Sequence, residues 1–186
     1  GTARLIRVRD GTEIARIEHD GGVNSIAFNP DGTLIATGSD DSTVRLARTA
    51  DGSEVARIEH DDLVSTVAFS PDGRLLATGG NDGVRLFRTS DSSEAAPFEQ
   101  AGAVHILAFS PDGTLLAAGG SSARLIRISD RREIARFGHD GSVSSLAFSP
   151  DGTVLVTGSQ SGTARLLPVA VSNEVAGTWR DGDLKA

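Results

Sequence analysis

Short apolar runs separated by turn residues recur along the chain, and residues 60–99 show the pattern most fully. Residues 64–69 (VSTVAF) are β-branched and aromatic, which is typical of a strand, and residues 70–73 (SPDG) form a tight-turn sequence. Proline presets one backbone angle of such a turn, and glycine supplies its left-handed position. The predicted elements are strands at residues 64–69, 74–78, 84–88 and 94–99, with turns at residues 70–73, 79–83 and 89–93. The pattern therefore predicts four antiparallel strands joined by three hairpins.

The same turn returns along the chain, so the unit is a repeat. Its proline stands at Pro30, Pro71, Pro111 and Pro150, with spacings of 41, 40 and 39 residues. A period in this range predicts an array of similar supersecondary units within one domain, here residues 1–186. The predicted units are a half unit at residues 1–18, with only a third and fourth strand, and repeats at residues 19–59, 60–99, 100–138 and 139–186, the last with degenerate final strands.

Apolar residues occupy both faces of the inner strands. Val23, Ile26, Ala27 and Phe28 break the strict alternation of a strand with one solvent-facing side. A sheet whose two faces are both covered lies between two similar sheets, and radial stacking of such sheets gives a β-propeller. We therefore expect an all-β propeller of four-stranded antiparallel blades, about four and a half repeats in length.

Residues 19–46 and their later copies resemble the WD-repeat family. In that family a histidine before the first strand, a serine or threonine in the second and an aspartate in the next turn form a polar network in each blade. The resemblance implies a network at His19, Thr37 and Asp41, a second at His60, Thr78 and Asp82, and an eroded one at His139 and Thr157.

The chain departs from the family pattern in other places. The fourth copy has Ser161 in place of the aspartate, the third has Gln100, Ala118 and Ser122, and the Trp-Asp dipeptide of the family is missing throughout. At the dipeptide's second position most copies carry an arginine, six residues before a glutamate. The expected rim ion pairs are Arg7 with Glu13, Arg48 with Glu54, Arg88 with Glu94, and Arg127 with Glu133, each contributing roughly 0 to 1 kcal/mol.

Composition excludes several classes of function. The net charge is −7, and 17 arginines and one lysine are scattered among 25 acidic residues, so a phosphate-binding surface for nucleic acid is not expected. No apolar run approaches the roughly 20 residues of a membrane helix. The chain has no cysteine, which slightly favours a cytoplasmic location and excludes cysteine metal sites and thiol nucleophiles.

Catalytic and metal chemistry find little support in the sequence. His19, His60 and His139 recur at one position of separate units, too far apart to share a metal, and the aspartates of the four Pro-Asp-Gly turns are explained by turn chemistry. His105 stands at a first-strand position that could line the axial channel. Without a nucleophile, base and acid at fixed spacing, we expect no enzyme activity, no cofactor and no metal.

Two functions remain open, and both use the propeller as a scaffold. The first is a protein-interaction module whose partner meets the turns after the second strand and before the first, where the copies differ at Asn81, Ser121, Gln160 and Gln100. The second is a structural, self-assembling partial propeller. An enzyme with a site in the channel is a third reading, for which only His105 is a candidate.

We also expect a homo-oligomer, most simply a dimer that closes an eight-bladed ring, within the roughly four to eight blades typical of propellers. A ring of four blades needs a sharp rotation between sheets, and an open arc exposes apolar faces at both ends. In the dimer, strands within residues 3–17 of one chain complete strands within residues 143–157 of the other and displace residues 163–179.

Overall fold

The computed structural model describes residues 1–95 and 102–169, and these ranges contain only strands and turns. Their 16 strands form five antiparallel sheets, which confirms the all-β prediction. None of the described residues belongs to a helix long and apolar enough to cross a membrane. Gln100, the end of the fourth strand predicted at 94–99 and the degenerate final strand predicted after residue 170 lie outside the described ranges.

Each sheet follows the order of its strands in the chain. The first sheet contains β1 (Thr2–Ile6) and β2 (Glu13–Glu18). The second contains β3 (Val23–Phe28), β4 (Leu34–Ser39), β5 (Thr43–Arg48) and β6 (Glu54–Glu59). The third contains β7 (Val64–Phe69), β8 (Leu75–Gly80) and β9 (Gly83–Arg88), with Glu94 bridged to Phe87 at its outer edge. The fourth contains β10 (Val104–Phe109), β11 (Leu115–Gly120), β12 (Ser122–Arg127) and β13 (Glu133–Gly138), and the fifth β14 (Val143–Phe148), β15 (Val154–Ser159) and β16 (Ala164–Pro168).

Successive sheets pack face to face through their first strands. β3 contacts β7, β7 contacts β10, and β10 contacts β14. Between the second and third sheets, Leu46 and Ala36 join Val67 and Leu76 in one buried cluster, and equivalent residues fill the next junction. This face-to-face arrangement of antiparallel sheets, two of them with four strands in the described residues, is that of propeller blades, so the chain forms a partial β-propeller.

The Pro-Asp-Gly turn closes the hairpin between the first two strands of each blade. In the second copy, Ser70 Oγ donates to Asp72 Oδ1 at 2.6 Å, and the Arg74 amide donates to the same oxygen at 3.0 Å. Gly73 has φ 71°, in the left-handed region where a side chain is disfavoured. The aspartate therefore serves the turn, since its carboxylate satisfies donors within it.

The next turn is shorter than the sequence predicts. The sequence places it at residues 79–83, but β8 continues through Gly79 and Gly80, which pair with Val84 and Gly83. Only Asn81 and Asp82 remain between the strands. Glycine is a misleading turn signal here, because these glycines are needed inside the strand for packing.

A glycine in the second strand of the second, third and fourth sheets allows the next sheet to approach closely. A Cβ atom on Gly79 would lie 2.8 Å from Val104 Cγ1 in the following sheet and 2.9 Å from Thr66 Cγ2. Gly38 faces Val64 in the same way, at 2.7 Å. Gly119 faces Val143 at 2.8 Å, and all three valines are fully buried. We call this the glycine–valine contact, and it sets the spacing of the blades.

The expected rim ion pairs form with a different arginine. Glu54 bonds to Arg45 Nη1 at 2.9 Å, and Arg48 instead reaches Ser53 in the adjacent loop at 3.5 Å. The cause is the pleat: Glu54 stands opposite Ala47, so its side chain shares a face with Arg45 and not with Arg48. The corresponding pairs in other sheets are Arg4 with Glu13 and Arg85 with Glu94, whereas Glu133 pairs with Arg136 on its own strand.

Replacing Gly79 with alanine should destabilise the protein. The added methyl group meets Val104 and Thr66 at less than 3.0 Å, so the third and fourth sheets must separate, at a cost of about 1 to 3 kcal/mol. Gly138→Ala is the matched control, because no atom lies within 4 Å of its Cβ position. Denaturant unfolding should show a clear loss for Gly79→Ala alone. Equal losses for both variants would contradict a role for the glycine–valine contact.

Candidate functional site

The first polar cluster joins the loop before β3 to β4 and the turn after it. His19 Nε2 lies 2.8 Å from Thr37 Oγ1, and His19 Nδ1 lies 2.9 Å from Asp41 Oδ2. Thr43 Oγ1 donates to Asp41 Oδ1 at 2.7 Å, and the Asp20 amide donates to Oδ2 at 2.9 Å. The histidine and threonine side chains are buried, so each polar atom depends on these partners. Sequence reasoning misses Thr43, although a threonine two residues after an aspartate is an available signal.

The second cluster has the same centre with one partner fewer. His60 Nδ1 lies 2.8 Å from Asp82 Oδ2, and Thr78 Oγ1 lies 3.0 Å from His60 Nε2. Gly83 occupies the position of Thr43, at the start of the third strand. Without that hydroxyl, Asp82 Oδ1 is buried and has no hydrogen-bond partner among the described residues.

The fourth copy keeps only half of the cluster. His139 Nε2 lies 2.9 Å from Thr157 Oγ1. His139 Nδ1 is buried without a partner in the described part of the chain. Ser161 stands where the aspartate would be, and its hydroxyl bonds to Ser159 and Thr163.

In the third copy one residue separates the second and third strands, against three in the first copy, and this changes the place of Ser122. Ser122 begins β12 and pairs with Gly138, just as Thr43 begins β5 and pairs with Glu59. It is therefore the counterpart of Thr43 and not of the aspartate. Ala118 removes the hydroxyl of the second strand, and Gln100 lies outside the described ranges.

Electrostatics distinguish the aspartate from the histidines. Burial alone would raise the pKa of Asp41, but hydrogen bonds from Thr43, Asp20 and His19 outweigh it and hold that pKa far below its usual range. Burial lowers the pKa of His60, against the opposing effect of Asp82. Burial, followed by the positive charge of Arg165, lowers the pKa of His139. His60 and His139 are thus neutral at pH 7 and act as hydrogen-bonding groups.

The turns between second and third strands form an exposed row beside these clusters. Asn81, Ser121 and Gln160 are each exposed, at equivalent positions of successive sheets. A cleft of about 390 Å³ opens beside Ser121, between the fourth and fifth sheets. We call this row and cleft the turn face. The cleft is lined by Ala103, His105, Ser121, His139, Asp140, Gly141 and Ser142.

The cleft lacks the convergence that metal binding requires. No group of three or more histidine, aspartate or glutamate side chains in the described ranges is placed to hold a metal ion. His105 is exposed at the cleft wall and does not reach the buried clusters. Chemically, the cleft offers hydroxyl, imidazole and carboxylate groups to a neutral or positively charged surface.

Asp41→Asn should change the acid unfolding of the protein. Between the ordinary aspartate pKa of 3.8 and the lowered folded value, the unfolded state binds the extra proton, so wild-type stability falls as the pH falls through this window. The asparagine amide cannot take up that proton. The variant should therefore be less stable at pH 7 and show a shallower loss from about pH 4 to pH 2 in denaturant titrations. Thr43→Val, which removes one donor, should flatten the slope partly, and parallel slopes for all three proteins would contradict this.

Ser161→Asp should stabilise the fourth copy. The new carboxylate would stand where Asp41 and Asp82 meet their histidines and would give His139 Nδ1 a partner, worth about 1 kcal/mol. Gln160→Asp is the control, because it adds the same charge one residue away. Thermal unfolding should show a gain for the first variant only.

Comparison with known families gives four matches along the chain. A family model named WD40 and described as WD domain, G-beta repeat, matches residues 11–46, 52–87, 97–130 and 131–166, more than half of the sequence. The first match runs from β2 to the third strand of the next sheet, and the second from β6 to β9. No curated protein matches the chain.

Proposed function

The chain belongs to the WD40 repeat family, and from this membership we propose that it is a non-catalytic module that binds other proteins. WD40 repeats in general provide interaction or scaffold modules. Because a fold hosts many functions, the proposal for this chain needs support from a particular surface, and the turn face provides it.

The proposal rests on one observation: the exposed turn residues differ between sheets whose buried strand positions are the same. Gly79 and Gly119 occupy equivalent buried strand positions, and two residues further on the chain exposes Asn81 and Ser121. The fifth sheet exposes Gln160 at the same place. Gln100, outside the described ranges, is proposed for the same face. Positions that differ between otherwise equal units are where binding specificity can reside.

The chemistry of the turn face favours a protein over a nucleic acid. The net charge of −7 and the absence of a cationic cluster in the sequence do not suit a phosphate backbone. Asp140 and the serine hydroxyls of the cleft suit a polar or basic side chain of a protein partner. An enzyme reading would place its chemistry at His105, and no group of three or more histidine, aspartate or glutamate side chains in the described ranges is placed to hold a metal ion there.

We propose a structural role for the polar clusters. His19, Thr37 and Asp41 tie the loop before a sheet to the turn between its second and third strands. The equivalent residues of the second copy do so with fewer bonds, whereas His139 of the fourth copy reaches only Thr157 in the second strand. Buried hydrogen bonds of this kind fix the turn from which Asn81 and its equivalents project. The clusters thus hold the turn face in place, and we do not assign them catalysis.

A second candidate function is self-assembly of the partial propeller by homo-oligomerisation. The specific observation is exposed apolar surface on the two terminal blades: Phe28 is 54% exposed and Leu166 is 65% exposed. The two functions are compatible, because the turn face and the blade faces are different surfaces.

Selection of a random displayed peptide library against the purified chain tests the proposed module. Peptides that bind should lose affinity for Asn81→Arg and Ser121→Arg variants, since the bulky cation blocks the turn face. Val55→Arg is the matched control, an exposed position on the outer strand β6. Circular dichroism should show all three variants folded.

The set of variants that lose peptide binding shows whether the peptides contact the turn face or the Pro-Asp-Gly turns. Loss of peptide binding on Arg74→Ala, in a Pro-Asp-Gly turn, with binding intact in the turn-face variants, would contradict the assignment. Failure to select any peptide would argue against a general binding module.

A further inference from the structure

The face of the second sheet that points toward the first sheet, which we call the leading face, is not covered at its inner strand β3. Ile26 and Phe28 of β3 are 51% and 54% exposed. Their counterparts in the next two sheets include Val67 and Leu107, which are buried by the preceding blade. Among the described residues, only the two-stranded sheet β1–β2 precedes β3, and it covers the outer part through Ala3 and its neighbours.

The outward face of the fifth sheet, which we call the trailing face, also exposes apolar residues that are buried in the other sheets. Leu166 is 65% exposed, whereas its counterpart Leu46 is 1% exposed against the following blade. Gly158 occupies the position of Gly38, but no valine of a following sheet lies within 4 Å of its Cβ position. The trailing face therefore has the glycine of a glycine–valine contact without the valine. The leading face has the valine, Val23, without the glycine.

Strand edges show the same complementarity. β1 pairs only with β2, so its other edge bears no strand in the described ranges. Residues 1–6 read GTARLI, and residues 162–167, which include most of β16, read GTARLL. β1 therefore carries nearly the same side chains as the strand that pairs with β15.

Pro168 makes β16 the poorer of these two strands. In other sheets the arginine at this position closes the outer hairpin with its amide, as in Arg7 to the Thr12 carbonyl at 2.8 Å and Arg48 to the Ser53 carbonyl at 2.9 Å. Proline has no amide hydrogen, so Pro168 cannot make that bond. β1, in contrast, is followed by Arg7, whose amide makes this bond, and it is already paired with the outer strand β2.

We propose that a second copy of this chain completes the blade: β14 and β15 of one copy join β1 and β2 of the other, and β1 takes the place of β16. The register follows the internal pairs Ala36 with Leu46 and Gly38 with Val44. It places Val156 opposite Leu5 and Gly158 opposite Ala3 of the second copy. This inference rests on the second function proposed above, and it specifies the partner and its contacts.

The composite blade supplies each missing contact at once. Val156 and Leu5 then cover Ile26 and Phe28 of the second copy, as Ala36 and Leu46 cover Val67 within the chain. Val23 of the second copy meets Gly158. β14 packs on β10 and β11 and β1 on β2 and β3, so the two surfaces lie at opposite ends of the array. The reciprocal exchange gives a closed two-fold dimer, the commonest symmetry of soluble oligomers.

Light scattering on the purified chain tests the assembly. The expected molar mass is twice 19.2 kDa, or 38.4 kDa, at micromolar concentration. Phe28→Asp should return it to 19.2 kDa, because a charge would be buried in the composite junction. Val55→Asp, at an exposed apolar position away from both faces, should leave the dimer intact.

Cross-linking tests the register, and the natural absence of cysteine makes single cysteines unambiguous. Leu5→Cys mixed with Val156→Cys should give a disulfide-linked dimer. The yield should exceed that of Val8→Cys mixed with Val156→Cys by about tenfold or more, because pairing raises the effective concentration of the two thiols. Val8 is almost fully exposed in the turn after β1, so its yield reports random collision.

Either of two results would overturn the inference. The first is a wild-type mass of 19.2 kDa, and the second is a dimer whose Leu5 cross-link yield equals the Val8 yield. Peptide binding by Phe28→Asp keeps the two proposals separate. A monomeric variant that still binds selected peptides retains the module, and a dimer that selects no peptide retains the assembly alone.

Discussion

Close contact between a glycine in one sheet and a valine in the next is the constraint on which the rest of the structure depends. Face-to-face sheets usually keep about 10 Å apart, and side chains fill the gap. At the inner strands Gly79 leaves room for Val104, and this contact brings the third and fourth sheets close together. The small residues at Ala36 and Ala77 follow from the same crowding, since each is fully buried against the next sheet.

Polar groups near this crowded region are satisfied by neighbours in the same blade. His19 has a partner on both ring nitrogens, and its aspartate accepts from three further donors. The second copy lacks a hydroxyl donor at Gly83, the third lacks the threonine hydroxyl at Ala118, and the fourth lacks the carboxylate at Ser161. Apolar clusters fill the junctions between the blades in each case, so these losses fall on the polar cluster that fixes the turn.

Much of the fold could be predicted from the sequence, because the signals are local. The Pro-Asp-Gly turn requires a left-handed glycine and an aspartate that caps its own loop, and both requirements are visible in the letters. The side-chain partners are harder. Distance along the chain pairs Glu54 with Arg48, but the pleat gives it to Arg45. The face of the sheet to which a side chain points depends on strand register. The sequence alone does not give the hairpin length that sets this register.

The candidate site, like the fold, could be predicted only in part from the sequence. The histidine and threonine positions repeat at a constant offset, and the resemblance to the WD-repeat family implies that they group together. The role of Thr43 and the true place of Ser122 depend on turn length, which differs by two residues between the first and third copies and which only the paired strands reveal. The cleft between the fourth and fifth sheets has no local sequence signature, because residues as distant in the chain as Ala103 and Ser142 line it together.

The shared glycine–valine contact also bears on how such an array can change in length. Because the three junctions from the second to the fifth sheet use the same glycine–valine pair, the trailing face of one of these blades fits the leading face of another. A whole repeat could therefore be duplicated or lost without creating a new kind of interface. The number of blades is free to vary by duplication, while the turns at Asn81 and Ser121 diverge independently of that number.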